Sequence, residues 1–169
     1  MTDQPHPAPL RRADASDVPV IHDLLCAMAA AEGGAIRGTP DSLMTHGFGP
    51  LPRFRVILAT GDPPLGLILY FPEYSSWRGQ MGLYVQDLYL RPAARGRGLG
   101  RALLAAALRD AAADPQWQPQ FATLMVAQNN HAARAFYTSM GFARRDSADP
   151  LILADQGLAA LIALTTGPV

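Results

Sequence analysis

The chain has 169 residues, a length that fits one domain with a core large enough to fold without disulfides or metals. It carries 14 basic and 14 acidic residues, and this zero net charge, with arginines scattered along the chain, argues against a non-specific nucleic-acid or membrane-surface protein and favours a small-molecule partner. Hydrophobic residues make up 49% and charged residues 17%, which indicates a globular protein rather than a disordered one.

Capping residues and turn residues divide the first half of the chain. Acidic N-caps at Asp14 to Asp17 begin a helix that Gly33 and Gly34 stop, and the run from Thr39 to Asp41 begins a second helix. The residues at 61–64 form a turn between two apolar runs, which predicts a hairpin. The expected elements are a flexible tail over 1–8, an edge strand over 9–12, helices over 17–31 and 39–47, and strands over 54–59 and 65–71.

The strand predicted over 81–90 has an irregular apolar pattern. Large apolar residues stand at 83 and 85 and then at 88 and 90, so the pattern slips by one position across Gln86 and Asp87. Because strand side chains alternate with a period of two, the slip indicates either a β-bulge or a strand that is covered on both faces. The pattern alone does not distinguish these two interpretations.

The second half predicts further helices and strands in alternation. Leucine and alanine at helical spacing form one apolar stripe in the helix that follows the 81–90 strand. The remaining expectations are helices over 99–111, 130–140 and 156–164, and strands over 121–127 and 151–154. This mixed order predicts an α/β fold of the α+β mixed kind, with helices on both faces of one sheet and a single domain over 9–169.

A glycine-rich segment lies between the 81–90 strand and the next helix. It reads Arg95, Gly96, Arg97, Gly98, Leu99, Gly100, Arg101. Glycines allow successive backbone N–H groups to face one point, and a helix N-terminus favours anions, so the segment is suited to phosphate or pyrophosphate. It matches neither a dinucleotide-binding fingerprint nor a phosphate-binding loop that ends in Gly-Lys-Ser/Thr. A purely conformational role for the glycines is the alternative interpretation.

Two motifs in the expected order resemble those of the GNAT family of N-acetyltransferases. The first is Arg95-x-x-Gly98-x-Gly100, and the second is Asn130-x-x-Ala133-x-x-Phe136-Tyr137 followed by Gly141-Phe142. The segments at 43–54, 70–80 and 83–92 are similar to the spermidine/spermine and thialysine N-acetyltransferase branch. The resemblance covers about residues 10 to 165.

The resemblance implies a fold, a cosubstrate and an assembly. The implied GNAT fold has a mainly antiparallel central sheet of six to seven strands that splays after strand 4, with helices on both faces, and a bulge in strand 4 is part of it. Acetyl-CoA is the implied cosubstrate, and a homodimer is the implied assembly. The implied acetyl-CoA contacts are Leu88, Tyr89, Leu90, Arg95, Gly96, Arg97, Gly98, Leu99, Gly100, Arg101, Asn130, Ala133 and Tyr137. Asn130 is equally explained as an ordinary helix N-cap.

Acetyl transfer to an amine requires a base and an acid. An alkylammonium with a pKa near 10.4 is neutral about four times in ten thousand at pH 7, which costs about 4.6 kcal/mol, so a proton acceptor should lie near the amine. The resemblance places Tyr137 beside the thioester sulfur, and a phenol holds a proton at neutral pH, so Tyr137 is the candidate catalytic acid. An aromatic residue that only packs is the alternative.

The candidate substrate-binding residues are Glu32, Gln86 and Asp87. Relatives in the branch typically carry glutamate at the position of Gln86, and a neutral amide cannot take a proton from an ammonium group. Asp87, Glu32 and Glu73 remain as carboxylates that could relay a proton or hold a cationic chain. Glu32 could instead be a solvated residue at a helix end, and Asp87 could be a structural residue of the bulge.

These residues predict an acetyl-CoA-dependent N-acetyltransferase that acetylates a primary amine of a small molecule, such as a polyamine, thialysine or a related amine, by direct attack on the thioester. The alternatives are a non-catalytic acyl-CoA-binding or sensing module and a protein N-acetyltransferase. No apolar run approaches the roughly 18 residues of a membrane span and the N-terminus lacks an apolar signal core, so we expect a cytoplasmic protein. The spacing of the four histidines predicts no metal site.

Overall fold

The structure, a computed structural model, describes residues 9–144 of the chain. The chain divides into two compact units, Met1–Met125 and Val126–Val169. Within the described residues the elements in chain order are β1 (Leu10–Arg12), α1 (Val18–Ala31), α2 (Pro40–Phe48), β2 (Arg55–Ala59), β3 (Gly66–Ser75), β4 (Gln80–Leu90), α3 (Leu99–Ala112), β5 (Ala122–Leu124) and α4 (His131–Thr138). Single-turn 3-10 helices precede α1 and α3.

One mixed sheet forms the frame of the first unit. Its strands lie in the order β1-β2-β3-β4-β5, with antiparallel pairing from β1 to β4 and parallel pairing between β4 and β5. The mixed, mainly antiparallel sheet is thus confirmed. The expectation of six to seven strands is not, because residues 9–144 contain five; the strand predicted over 151–154 and the helix predicted over 156–164 lie outside the described residues.

Strand lengths differ from the sequence expectation in two places. β3 continues to Ser75 rather than ending at Phe71, because β4 begins at Gln80 and its first residues pair with the end of β3. β5 covers only Ala122–Leu124 rather than 121–127. Its three residues pair with Leu83 to Val85 of β4. Beyond Val85, β4 therefore has no β5 partner within the described residues.

Helices pack on both faces of the sheet, as the sequence predicts. On one face, alternate residues of β2 and β3 form a core cluster with α1 and α2, and its buried members are Ala13, Val18, Ile21, Leu24, Leu25, Leu43, Val56, Leu58, Leu67, Leu69 and Tyr89. On the other face, α3 packs against β2, β3 and β4. The Tyr70 ring there stacks on Trp117 at a centroid distance of 5.9 Å.

Local capping explains where the first two helices begin. The Asp14 side chain accepts a hydrogen bond from the Ser16 backbone, and the Asp17 carboxylate accepts one from the Asp14 backbone, which together start the turn that leads into α1. Thr39 and Ser42 cap α2 by the same reciprocal arrangement. The helix starts are therefore specified by short polar side chains within a few residues of each boundary.

Candidate active site

A β-bulge interrupts the pairing of β3 with β4. Leu69 lies opposite Asp87 and Tyr70 lies opposite Val85, so Gln86 is an extra residue on β4. The bulge interpretation of the slipped apolar pattern is therefore confirmed. Since directly opposed residues share a face, Asp87 lies on the face of Leu69, which is the face that α1 and α2 cover.

The structure brings two of the predicted acidic residues together next to this bulge. Burial raises the pKa of Asp87 to about 6, and the negative charge of Glu32 raises it further in the same direction. Glu32 is exposed at the C-terminal end of α1, where its backbone N–H donates to the carbonyl oxygens of Met28 and Ala29. A carboxylate with a pKa near 6 is ionised at pH 7 to 8 and has a useful affinity for a proton, as a general base requires.

A pocket of about 420 Å³ lies on the same face and is lined by Arg53, Phe54, Leu69, Phe71 and Gln86. Gln86, predicted to contact substrate, is thus in a pocket wall. No sequence motif indicates the other four lining residues. Leu69 and Phe71 stand at alternate positions of a predicted strand, which indicates a shared face, but nothing local in the sequence indicates that the segment before β2 lies against them.

Tyr84 and Glu73 extend the polar part of this face toward β5. The Tyr84 ring stacks on Phe71 at a centroid distance of 4.9 Å, and burial raises the Tyr84 pKa, with smaller contributions from the charges of Glu73 and Asp87. The Thr123 hydroxyl donates a hydrogen bond to the Glu73 carboxylate. Glu73, a candidate proton relay from the sequence, is therefore bound to β5, and Tyr84, which no sequence motif indicates, lies on the same face as Phe71.

Two glycines of the glycine-rich segment have left-handed backbone conformations. Gly96 and Gly98 have φ values of 75° and 77°, and an added Cβ at either would meet nothing within 4 Å, so backbone conformation rather than space demands glycine. Gly98 is the N-cap of α3 and offers no side-chain acceptor to the first helical turn. The N–H groups of Leu99, Gly100 and Arg101 therefore suit an external anion.

The arginines around this segment divide into two pairs. Arg95 donates from Nε to the Leu90 carbonyl oxygen at 3.0 Å and lies over the Tyr89 ring, and Arg91 donates to Asp23 at 2.5 Å. Arg97 and Arg101 are exposed, and within residues 9–144 neither has an ion-pair partner. The second pair therefore offers its guanidinium groups to a ligand more readily than the first.

Three residues at the end of β4 were predicted to contact acetyl-CoA. The Tyr89 side chain is buried in the core cluster beneath α1 and α2, whereas Leu88 and Leu90 are half-buried. The Tyr89 side chain is thus part of the core, so only the backbone of Tyr89 is available to a ligand.

The remaining predicted residues lie in the second unit, on α4. The Asn130 side chain accepts a hydrogen bond from the Ala133 backbone at 3.1 Å, so its role as an N-cap is observed. Tyr137 is half-buried and makes edge-to-face contacts with Phe136 and Phe142 at centroid distances of 5.1 and 5.5 Å. Ala133 and Tyr137 are four residues apart and so share one helix face.

Residues 9–144 contain neither a membrane-spanning helix nor a metal-binding cluster. No helix there has both the length and the apolar character needed to cross a membrane. The described side chains also include no cluster of three or more His, Cys, Asp or Glu residues arranged to hold a metal ion.

Comparisons with known proteins connect the two motifs to one family. The profile of the acetyltransferase (GNAT) family matches residues 27–142. The chain is 33% identical over 105 residues to spermidine/spermine N(1)-acetyltransferase-like protein 1 of Homo sapiens, a match that covers 56% of this chain and 15% of that protein. It is 30% identical over 78 residues to thialysine N-epsilon-acetyltransferase of Bos taurus, covering 41% and 45% respectively. The chain thus spans less than half the length of these curated relatives.

Solved structures with the same fold were also found. An integron cassette protein from the mobile metagenome of V. cholerae has a TM-score of 0.72 at 20% identity, and the match covers 93% of this chain and 98% of that one. An aminoglycoside acetyltransferase from an uncultured soil metagenomic sample, in complex with sisomicin, has a TM-score of 0.70 at 14% identity, covering 88% and 96%. At these identities the likeness shows a shared fold only.

Proposed function

Because the chain belongs to the acetyltransferase (GNAT) family, we propose that it is an N-acetyltransferase that transfers the acetyl group of acetyl-CoA to a primary amine of a small molecule. The observation that carries this proposal is Asp87, a half-buried carboxylate with a pKa raised to about 6, next to a pocket on the strand that leads into the glycine-rich segment. A single N-acetyltransferase domain over residues 9–169 is part of the proposal.

Acetyl-CoA supplies the acetyl group as a thioester, which an uncharged amine can attack directly. The first-turn N–H groups of α3 and the exposed guanidinium groups of Arg97 and Arg101 suit its phosphates, because together they provide hydrogen-bond donors and positive charge without a metal. Leu88 and Leu90 lead from the bulge to this segment, so their backbone would line the path between the two.

In the proposed reaction, carboxylates of the chain bind the ammonium group and remove its proton. Asp87 accepts the proton that the ammonium group must lose, directly or through one water molecule, and Glu32 holds positive charge nearby. The amide of Gln86 holds the amine or that water by hydrogen bonds but takes no proton. The aromatic side chains of Phe54 and Phe71 give the pocket an apolar wall.

Tyr137 is the proposed donor of the proton that the departing sulfur needs. Support for this role comes from its position in the second motif and from the protonated state of a phenol at neutral pH. A thiol has a pKa near 8.5, which is closer to neutral pH than the alkylammonium pKa near 10.4. Protonation of the leaving thiolate therefore contributes less to the reaction than deprotonation of the amine.

The relatives indicate a range of acceptors. One relative is named a spermidine/spermine N(1)-acetyltransferase-like protein, others are named for acetylation of thialysine and, in Arabidopsis thaliana, of L-ornithine at N5, and one protein of the same fold was solved in complex with sisomicin. All of these molecules carry amines, so a small amine is the proposed acceptor here. A homodimer and a cytoplasmic location belong to the proposal through the branch resemblance alone.

The test measures free thiol released from acetyl-CoA with a panel of polyamines, thialysine, amino acids and aminoglycosides. We expect turnover with at least one amine, and a loss of about 100-fold or more in kcat for Asp87→Asn and Tyr137→Phe at unchanged acetyl-CoA affinity. Tyr74→Phe is the matched control, because Tyr74 is an exposed tyrosine of β3, 64% accessible, and should keep full activity.

Two results would contradict the proposal. Tight acetyl-CoA binding with no thiol release for any amine would favour a non-catalytic acyl-CoA-binding or sensing module. Acetylation of protein substrates with silence across the small amines would favour a protein N-acetyltransferase.

A further inference from the structure

The pocket beside the bulge contains a cation where an acceptor with several positive charges would need anions. Arg53 lines this pocket, and no carboxylate within residues 9–144 forms an ion pair with it. Its backbone N–H donates to the His46 carbonyl oxygen at 2.7 Å, which ties this position to the end of α2. The backbone at Arg53 is therefore fixed, and its exposed guanidinium is available to a ligand.

An acidic group of the sheet, Asp87, lies on β4 next to the pocket residue Gln86. Asp87 follows Gln86 in the chain and stands opposite Leu69 across the strand pair, and the charge of Glu32 acts on it. Gln86 itself adds no charge. Because β3 lies between β2 and β4 in the sheet, Leu69 and Phe71 separate the Arg53 side of the pocket from Asp87, and with Phe54 they form an apolar wall that suits an apolar chain.

We propose that Arg53 is a specificity-determining residue that binds an anionic group of the acceptor, so that the acceptor is a zwitterion whose acid group and reactive amine are separated by an apolar chain. This inference rests on the proposed function. A guanidinium binds a carboxylate through paired hydrogen bonds, and the same guanidinium repels a second ammonium group in that position. Arg53 therefore selects against diamines and polyamines as well as for amino acids.

The experiment compares acceptors that differ only in the carboxylate: lysine with cadaverine, and ornithine with putrescine. We expect wild-type kcat/KM to favour the amino acid of each pair by about tenfold or more, most of it through KM. Arg53→Gln should bring the two members of each pair close together, and Arg53→Glu should favour the diamine. Arg109→Gln is the matched control, because Arg109 is an exposed arginine of α3, which packs on the other face of the sheet, and the ratio should stay at its wild-type value.

The possible failures are distinguishable. Thiol release that is equal or faster with the diamines, or an amino-acid preference that survives in Arg53→Gln, overturns the role of Arg53 and leaves the proposed function intact. An absence of thiol release with every amine overturns both. Thermal unfolding of Arg53→Gln and Arg109→Gln verifies that both variants are folded, and the exposed position of both side chains predicts that they are.

Discussion

Asp87 combines two influences that each favour its protonated form. Burial removes the water that would stabilise the carboxylate, and this is the larger effect on its pKa; the negative charge of Glu32 acts in the same direction. A typical aspartate has a pKa near 3.9 and binds protons weakly at neutral pH. An aspartate with a pKa near 6 is a much better proton acceptor for an ammonium group.

The pH dependence of kcat/KM should follow the ionisation of the Asp87 carboxylate. We expect kcat/KM to fall below about pH 6 as Asp87 becomes protonated. Glu32→Gln removes a negative charge, which lowers the pKa of Asp87, so the acidic limb of the profile should move to lower pH. Asp62→Asn, an exposed residue of the turn between β2 and β3, should leave the limb in place. A limb that does not move in Glu32→Gln would show that the two carboxylates are not coupled.

At the scale of elements, β4 and the segment that follows it organise the site. The extra residue Gln86 changes the side-chain alternation, so that Tyr84 and Asp87, three residues apart, lie on one face. Without the bulge, a strand would place residues two or four positions from Tyr84 on that face. β5 pairs with β4 only as far as Val85. From the bulge onward, β4 therefore has no parallel partner strand among the described residues.

Gly98 should be required both for the stability of the fold and for the binding of acetyl-CoA. Gly98→Ala forces a side chain into a left-handed conformation, and we expect it to lower the free energy of unfolding by about 1 kcal/mol and to weaken acetyl-CoA binding several-fold. Gly79→Ala is the matched control: Gly79 has a φ of 61° and equally open surroundings, but it lies in the turn between β3 and β4. Urea unfolding and acetyl-CoA titration should give a similar stability loss in both variants and an affinity loss in Gly98→Ala alone.

At the scale of the first unit, one carboxylate joins α3 to the sheet. Asp110 accepts a hydrogen bond from the Tyr70 hydroxyl at 2.7 Å and from Arg55 at 3.0 Å, and Arg12 lies 3.6 Å away. Burial raises the pKa of Tyr70 well above its usual value, and the bond to Asp110 adds to this, so the phenol stays protonated and remains a donor. The helix is thereby connected to β1, β2 and β3 through a single side chain.

Loss of this carboxylate should destabilise the fold. We expect Asp110→Ala to lower the free energy of unfolding by about 2 kcal/mol, because Tyr70 loses its acceptor in a buried position. Tyr70→Phe removes only the hydroxyl and should cost about 1 kcal/mol, and the double variant should cost less than the sum of the two. Additive losses in urea unfolding would show that the two side chains do not interact.

The amino-acid sequence by itself determined the features that depend on neighbouring residues. The strand, glycine-rich segment and helix around Gly96 and Gly98 were predictable because positive φ values and helix N-termini have local sequence requirements. The caps at Asp14 and Thr39 were predictable for the same reason. The family motifs are also local, and so the acetyltransferase resemblance did not require a structure.

Only the tertiary structure decided which distant residues meet. The slipped pattern at Gln86 is the same for a bulge and for a strand covered on both faces, and only the register with β3 distinguishes them. The coupling of Glu32 to Asp87 and the presence of Arg53 in the pocket wall join residues far apart in the chain. Burial, charge and shape act through space, whereas conformational preferences act along the chain, so the family could be inferred from the sequence and the charge arrangement of the pocket could not.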